Sequence, residues 1–227
     1  MPDLAAMSQR FTEVLGLTTH PMALVYSDVA VAEEPRVSVC GAFCAVGRHG
    51  LALTMSAKNS LCPGGSYYLG FTERRPGLEE FLVREERIFE SFPVCRRAID
   101  QMARPPRDLR PYVNLVPLAQ ATFQPDLVIF TANGEQASRL LGLVAYVKGV
   151  WEMGSFGATC YSAVTVPVMR GRTEVSFIDI SARRSNKDYA ASDVLVSMPW
   201  LDFEQAHRVM DDSICGTYTY TVRAGEV

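Results

Sequence analysis

Apolar side chains at Leu4, Met7, Phe11, Val14 and Leu15 recur at the spacing of one helix face, and Gly16 stands where such a helix stops. Met22 to Tyr26 and Leu51 to Met55 read as short buried strands. Between them VSVCGAFCAVGRHG, small and glycine-containing, predicts a short helix or a turn. SLCPGGSYYLGF reads as a loop from its Pro-Gly-Gly punctuation. Ser91 is placed as an N-cap, with Pro93 in the first turn of a helix running to about Met102. ARPPRDLRP reads as a proline-rich connector and Asn114 to Ala119 as a strand.

The sharpest unit is PDLVIFTANGEQASRLLGLVAYVKG. Leu127 to Phe130 is a short apolar strand, a turn passes through Asn133 and Gly134, and Leu140, Leu141, Val144 and Val147 line a helix ending at Gly149. Strand, tight turn and helix in succession point to layered α/β packing. Glu174 to Ile178 and Val194 to Met198 are further strands, and Asp202 is placed as the cap of a last helix carrying Phe203, Ala206, Val209 and Met210. Thr217 to Val222 alternates in strand fashion. The expected fold is α/β or α+β, a single domain over 1–227 with a mixed sheet flanked by helices. An internal duplication is left open. Cys40 precedes Gly50 and the Leu51 strand as Cys160 precedes Gly171 and the Glu174 strand, and GAFC echoes GATC.

Composition narrows the function classes. Apolar residues make up 48% and charged residues 21% of 227, which is ordinary globular usage with enough chain for one sizeable core. A net charge of −3 provides no electrostatic case for nucleic acid or an anionic membrane. No apolar run approaches the roughly 20 residues of a membrane span. The N-terminus lacks a basic segment followed by an apolar block, so a cytoplasmic location is expected. Thiols there stay reduced, and six cysteines are then buried residues, ligands or reactive groups before they are disulfides.

Those cysteines are Cys40, Cys44, Cys62, Cys95, Cys160 and Cys215. No CxxC pair, P-loop, GxGxxG or HExxH occurs, and the spacing of His20, His49 and His207 supports no histidine metal site. Small neighbours leave room beside four of the sulfurs: Gly41 and Ala42 at Cys40, Pro63 and two glycines at Cys62, Gly157 and Ala158 at Cys160, and Gly216 at Cys215. A glycine-rich loop of this kind directs amide N–H groups at sulfur. Cys95, beside Arg96 and Arg97, reads as incidental. The plainer reading of any single cysteine is a small buried hydrophobe.

The ordered set CGA, LT, CPGG with YLGF, PDLVIF with EQASRL, a later cysteine with AV and P, a late arginine and VLVSMPW resembles the domain of unknown function 169 family, from about Leu17 to Met210. The resemblance implies one cysteine at each of three places, Cys40, Cys62 and Cys160, and an arginine at Arg183 or Arg184. It supplies positions and no reaction. Three thiolates suit a four-iron (4Fe-4S) cluster with one iron left open to a small substrate or sulfide, in a non-redox lyase or a sulfur-handling protein. Arg183 would then orient an anionic substrate by a forked pair of hydrogen bonds, with Tyr67 and Tyr68 lining the pocket. The rival readings are a sensor or carrier holding haem, copper or another thiophilic ligand, and a metal-free enzyme with Cys62 as nucleophile. Cys44 or Cys215 as a fourth ligand, and a homo-oligomer, are left open.

Overall fold

The Asp3 side chain accepts from the Ala6 amide at 3.0 Å and opens α1 (Leu4–Leu15), which Gly16 closes in the left-handed region at φ 61°. The computed structural model describes residues 2–105 and 109–218. After α1 come β1 (Met22–Ser27), α2 (Val39–Gly47), β2 (Leu53–Ser56) and α3 (Pro63–Tyr68). α4 (Leu78–Glu80) runs into a π-turn over Phe81–Glu85, and α5 (Phe92–Asp100) and β3 (Tyr112–Pro117) follow. β4 (Leu127–Ala132) leads into α6 (Gly134–Lys148), where Asn133 and Gln136 form a reciprocal capping box and Gly149 ends the helix. A π-turn over Tyr161–Thr165 passes into α7 (Val166–Arg170), then β5 (Glu174–Phe177), α8 (Ile180–Ser185), β6 (Val194–Pro199), α9 (Trp200–Arg208) and α10 (Ile214–Thr217).

Three expectations change. The Pro-Gly-Gly stretch is α3, because Pro63 fits the first helical turn, where its missing N–H has no intrahelical partner. Asp202 caps nothing. Pro199 holds the N-cap position of α9, and the Asp202 carboxylate is buried, accepting from the Thr173 amide at 3.1 Å and hydroxyl at 2.8 Å and pairing with Lys148. Ser91 stands at the N-cap of α5 without a side-chain cap bond. The connector predicted at 103–111 lies partly outside the described residues. The alternation predicted from Thr217 lies outside them after Tyr218, and Thr217 itself ends α10.

Among the described residues, six strands form one sheet in the order β2-β3-β1-β4-β6-β5. All strand pairings are antiparallel, and parallel pairing is confined to isolated bridges at Glu33, Val37 and Ser155, so the chain is an α+β fold. The order reads alike from both edges when the first three strands are set against the last three. β1 and β3 share six residue pairs and so do β4 and β6, while β2–β3 and β5–β6 share four each. The halves meet across a short seam of three pairs, Met22↔Ile129 to Leu24↔Leu127. Beyond it the Asp126 carboxylate takes the Tyr26 amide at 2.8 Å in place of a strand partner.

Alternation along the strands divides the apolar side chains between two cores. Ala23, Val128, Phe130 and Val196 face α1, α6 and α9. Met22, Leu24, Leu127 and Ile129 face α2, α3, α5 and the helix that carries Cys160. No helix among the described residues is long and apolar enough to cross a membrane.

Phe11 anchors the first core against Phe130 and Phe203, with ring centroids 5.3 and 4.9 Å away, and the His207 ring lies 6.1 Å from it. Burial, and then nearby Arg10, pushes His207 below the usual 6.5, against the opposing pull of Asp211. As pH falls below 6.5 the unfolded chain takes up its proton first, so stability is lost until the folded imidazole is protonated as well. His207→Gln is expected to flatten this acid limb. Urea midpoints measured at about pH 7.5 and about pH 5.5 check it, since the wild-type midpoint falls further than that of the variant.

Candidate functional site

Three helix starts meet on the second core face, and each carries a cysteine. Ser38 caps α2 by accepting from the Gly41 amide at 3.1 Å, which places Cys40 as the second helical residue. Cys62 is itself the N-cap of α3, and its sulfur accepts from the Gly65 amide at 3.3 Å. Sulfur thus takes the place that oxygen holds in an ordinary cap. Gly65 is needed for a second reason: a Cβ there would stand 2.8 Å from Val39 Cγ2, so α3 lies directly against α2.

The third helix begins at Thr159. Asp179 accepts from the Thr159 amide at 2.7 Å and from its hydroxyl at 2.6 Å, while its other oxygen caps α8 at the Ala182 amide. Cys160 follows Thr159, and the π-turn follows Cys160. Pro167 explains that turn. It has no N–H to give Ala163, and the Val166 amide reaches back to the Tyr161 carbonyl in the wider spacing. π-turns of this kind are frequent at functional sites. The Thr165 hydroxyl binds the Tyr68 carbonyl at 2.6 Å and locks this helix to α3.

The three cysteines stand at helix starts on one side of the sheet, Cys160 is raised by both Cys40 and Cys62, and Cys62 is raised in part by Cys40. The hydrogen bond with Cys40, then complete burial, pushes the Cys160 thiol well above its usual range. Burial also pushes Cys62 up, opposed by the Gly65 amide. Tyr68 and Tyr161 wall the site with ring centroids 5.7 Å apart, and the Tyr68 ring covers Gly64.

The other sequence candidates fall elsewhere. Arg183 does not face a ligand. Its three nitrogens bind the carbonyls of Ile178, Ala190 and Asp193 at 3.1, 2.6 and 2.7 Å, so its guanidinium is committed to the 186–193 loop and the expected substrate fork is lost. The Arg184 guanidinium pairs with Glu86 at 3.0 Å. Tyr67 packs under Arg104, 4.6 Å from its ring centroid, while Tyr68 faces the sulfurs. Cys95 is fully buried in the core. Cys215 packs into the opposite core, across the sheet from the site, and cannot supply a fourth ligand there. Cys44 lies one turn beyond Cys40 and bonds to Tyr189, and burial raises it to about 11. The groups that act on Cys62 are the Gly65 and Gly64 amides, Cys40 and Glu86.

Two residues of the site carry weak sequence signals. The Tyr189 hydroxyl donates to the Cys40 carbonyl at 2.8 Å and pins α2 from a loop with no periodicity. Asp179 could have been found as an acid just before ISARR, in the position of a helix cap.

Among the described residues, no group of three or more His, Cys, Asp and Glu side chains could hold a metal ion. A family model, DUF169, described as Uncharacterised ArCR, matches residues 10–208. No curated protein and no solved structure matches the chain.

Proposed function

Because the chain belongs to the DUF169 family, whose description carries no activity, we propose from its own site that it is an iron–sulfur protein in which Cys40, Cys62 and Cys160 hold a four-iron (4Fe-4S) cluster. The observation that carries this reading is the placement of Cys40, Cys62 and Cys160 at three separate helix starts, with the Gly65 N–H directed at the Cys62 sulfur. A cluster held by three protein thiolates supplies one iron that binds a small oxygen or sulfur ligand as a Lewis acid.

The protein's own groups then have defined tasks. The Gly65 N–H stays on the Cys62 sulfur and draws off part of its charge. Tyr68 and Tyr161 keep water from the buried side. Cys40 and Cys62 are half-buried while Cys160 is buried, so the small ligand enters from the α2–α3 side. Cys44 points to Tyr189 and Cys215 lies across the sheet, so neither closes the site.

Anaerobic purification followed by iron and acid-labile sulfide assay tests the proposal. The expected result is about four irons and about four sulfides per chain with a broad visible shoulder. Less than about one iron per chain after reconstitution overturns it. A sharp Soret band in place of the shoulder transfers the same sulfurs to the haem reading.

A further inference from the structure

We infer that the chain is a homodimer whose copies join across a two-fold axis, through the outer edge of β5 and the strap of residues 150–156 beside it. β5 ends the strand order, with β6 on one side. On its other side the strap returns from α6, and the Ser155 amide donates to the Val175 carbonyl at 3.0 Å. The bridge Ser155↔Ser176 is parallel. Alternation along both stretches then sets Phe156 beside Phe177 on one face. Two residues earlier Gly154 lies on the same face beside Val175, whose side chain stands 3.6 Å from where a Cβ would be.

That face is apolar and uncovered. Phe156 is 84% exposed and Phe177 60%, and at the α6 end of the strap Tyr146 is 59% and Trp151 90% exposed. A whole aromatic side chain presents about 150–250 Å², so these four leave roughly 450–700 Å² of mainly apolar surface in water. The largest contiguous apolar patch on a typical monomer is only about 300–600 Å². One partner of a standard interface buries about 800 Å², and this strip with exposed Val150 supplies most of it.

The apolar character selects a second copy over an unrelated partner. Surfaces that transient partners share are about as apolar as the rest of a protein, roughly 57%, whereas homodimer interfaces reach about 65%. A two-fold contact presents each patch to its own copy, and apolar against apolar is complementary without any pairing of charges. Ser155 already occupies the β5 edge at Val175, so the copies meet through side chains and the two sheets stay separate. The inference does not rest on the iron–sulfur reading, since neither the strap nor β5 carries Cys40, Cys62 or Cys160.

Sedimentation velocity of the full chain over about 1–100 μM is the test. The wild-type mass should be about 50 kDa, twice that of the 25.1 kDa chain. Trp151→Glu and Phe156→Glu should each weaken association by about 30-fold or more. Both side chains lie almost wholly in water in one copy, so the variants should fold, with far-ultraviolet circular dichroism matching wild type. Leu51→Glu is the control, an exposed apolar position just before β2 at the opposite edge of the sheet, and its mass should stay at that of the dimer. A wild-type chain that remains at 25.1 kDa throughout overturns the inference and leaves the face to a different protein. A dimer that survives both strap variants, or that Leu51→Glu splits equally, overturns it as well.

Discussion

Cys160→Ser is expected to lower the iron retained by the anaerobically purified chain to less than about a tenth of wild type. Serine offers a hard, weakly acidic hydroxyl where the cluster takes a soft thiolate. The cysteine is 4% exposed, so no water or neighbouring side chain replaces it without moving the helix. The fold should survive. A buried hydroxyl in place of a thiol costs about 1–2 kcal/mol, which lowers Tm by about 2–8 °C in a chain of this size. Iron assay beside a thermal melt separates the two effects. Cys215→Ser is the control: its sulfur packs on the far core, and iron content should match wild type. Equal iron in Cys160→Ser and wild type would remove Cys160 from the ligand set.

The second large effect is expected at a residue that bears no sulfur. Asp179 joins two helices by one carboxylate, with Oδ2 on the Thr159 amide and hydroxyl and Oδ1 on the Ala182 amide. Thr159 is fully buried, so removing the carboxylate leaves its donors without water or a protein partner. Asp179→Ala should cost about 3 kcal/mol, from one lost cap and two lost charge-assisted bonds partly offset by relaxation. In a two-state melt this lowers Tm by about 6–12 °C. Because Cys160 is the next residue after Thr159, iron retention should also fall, by about tenfold. Asp179→Asn keeps the shape and one acceptor oxygen, and is expected to recover most of the stability. A variant that melts like wild type would show that the Thr159 start is held by something other than Asp179.

The elements that could be read locally are those whose bonds are local. Gly16 and Gly149 close helices because a left-handed C-cap needs no distant partner. Asn133 opens α6 through a box completed three residues later by Gln136. The misread elements have distant causes. SLCPGGSYYLGF looks like a loop because glycine disfavours helix, yet Pro63 fits its first turn as α3, and glycine stands at 65 because Val39 of α2 leaves no room for a Cβ there. Asp202 looks like a cap because acids favour helix starts, yet its partners are Thr173 and Lys148, in other elements. Arg183 looks like an anion fork, and its nitrogens are bound to carbonyls across a loop that shows no pattern in one dimension.

Residue types and short-range spacing determined α1, α5, α6 and α9, the six strands to within a few residues, and a shortlist of sulfurs with small neighbours. They also carried a faint repeat, Cys40 before one strand and Cys160 before another, which the strand order turns into matching positions of two half-sheets. Only tertiary structure decided which cysteines share a core. A cysteine's environment is set by helices that dock through side chains far along the chain, and the pairing of β1 with β4 rests on backbone bonds that leave no local trace. Packing on opposite faces of the sheet puts Cys160 and Cys40 in one core and Cys215 in the other.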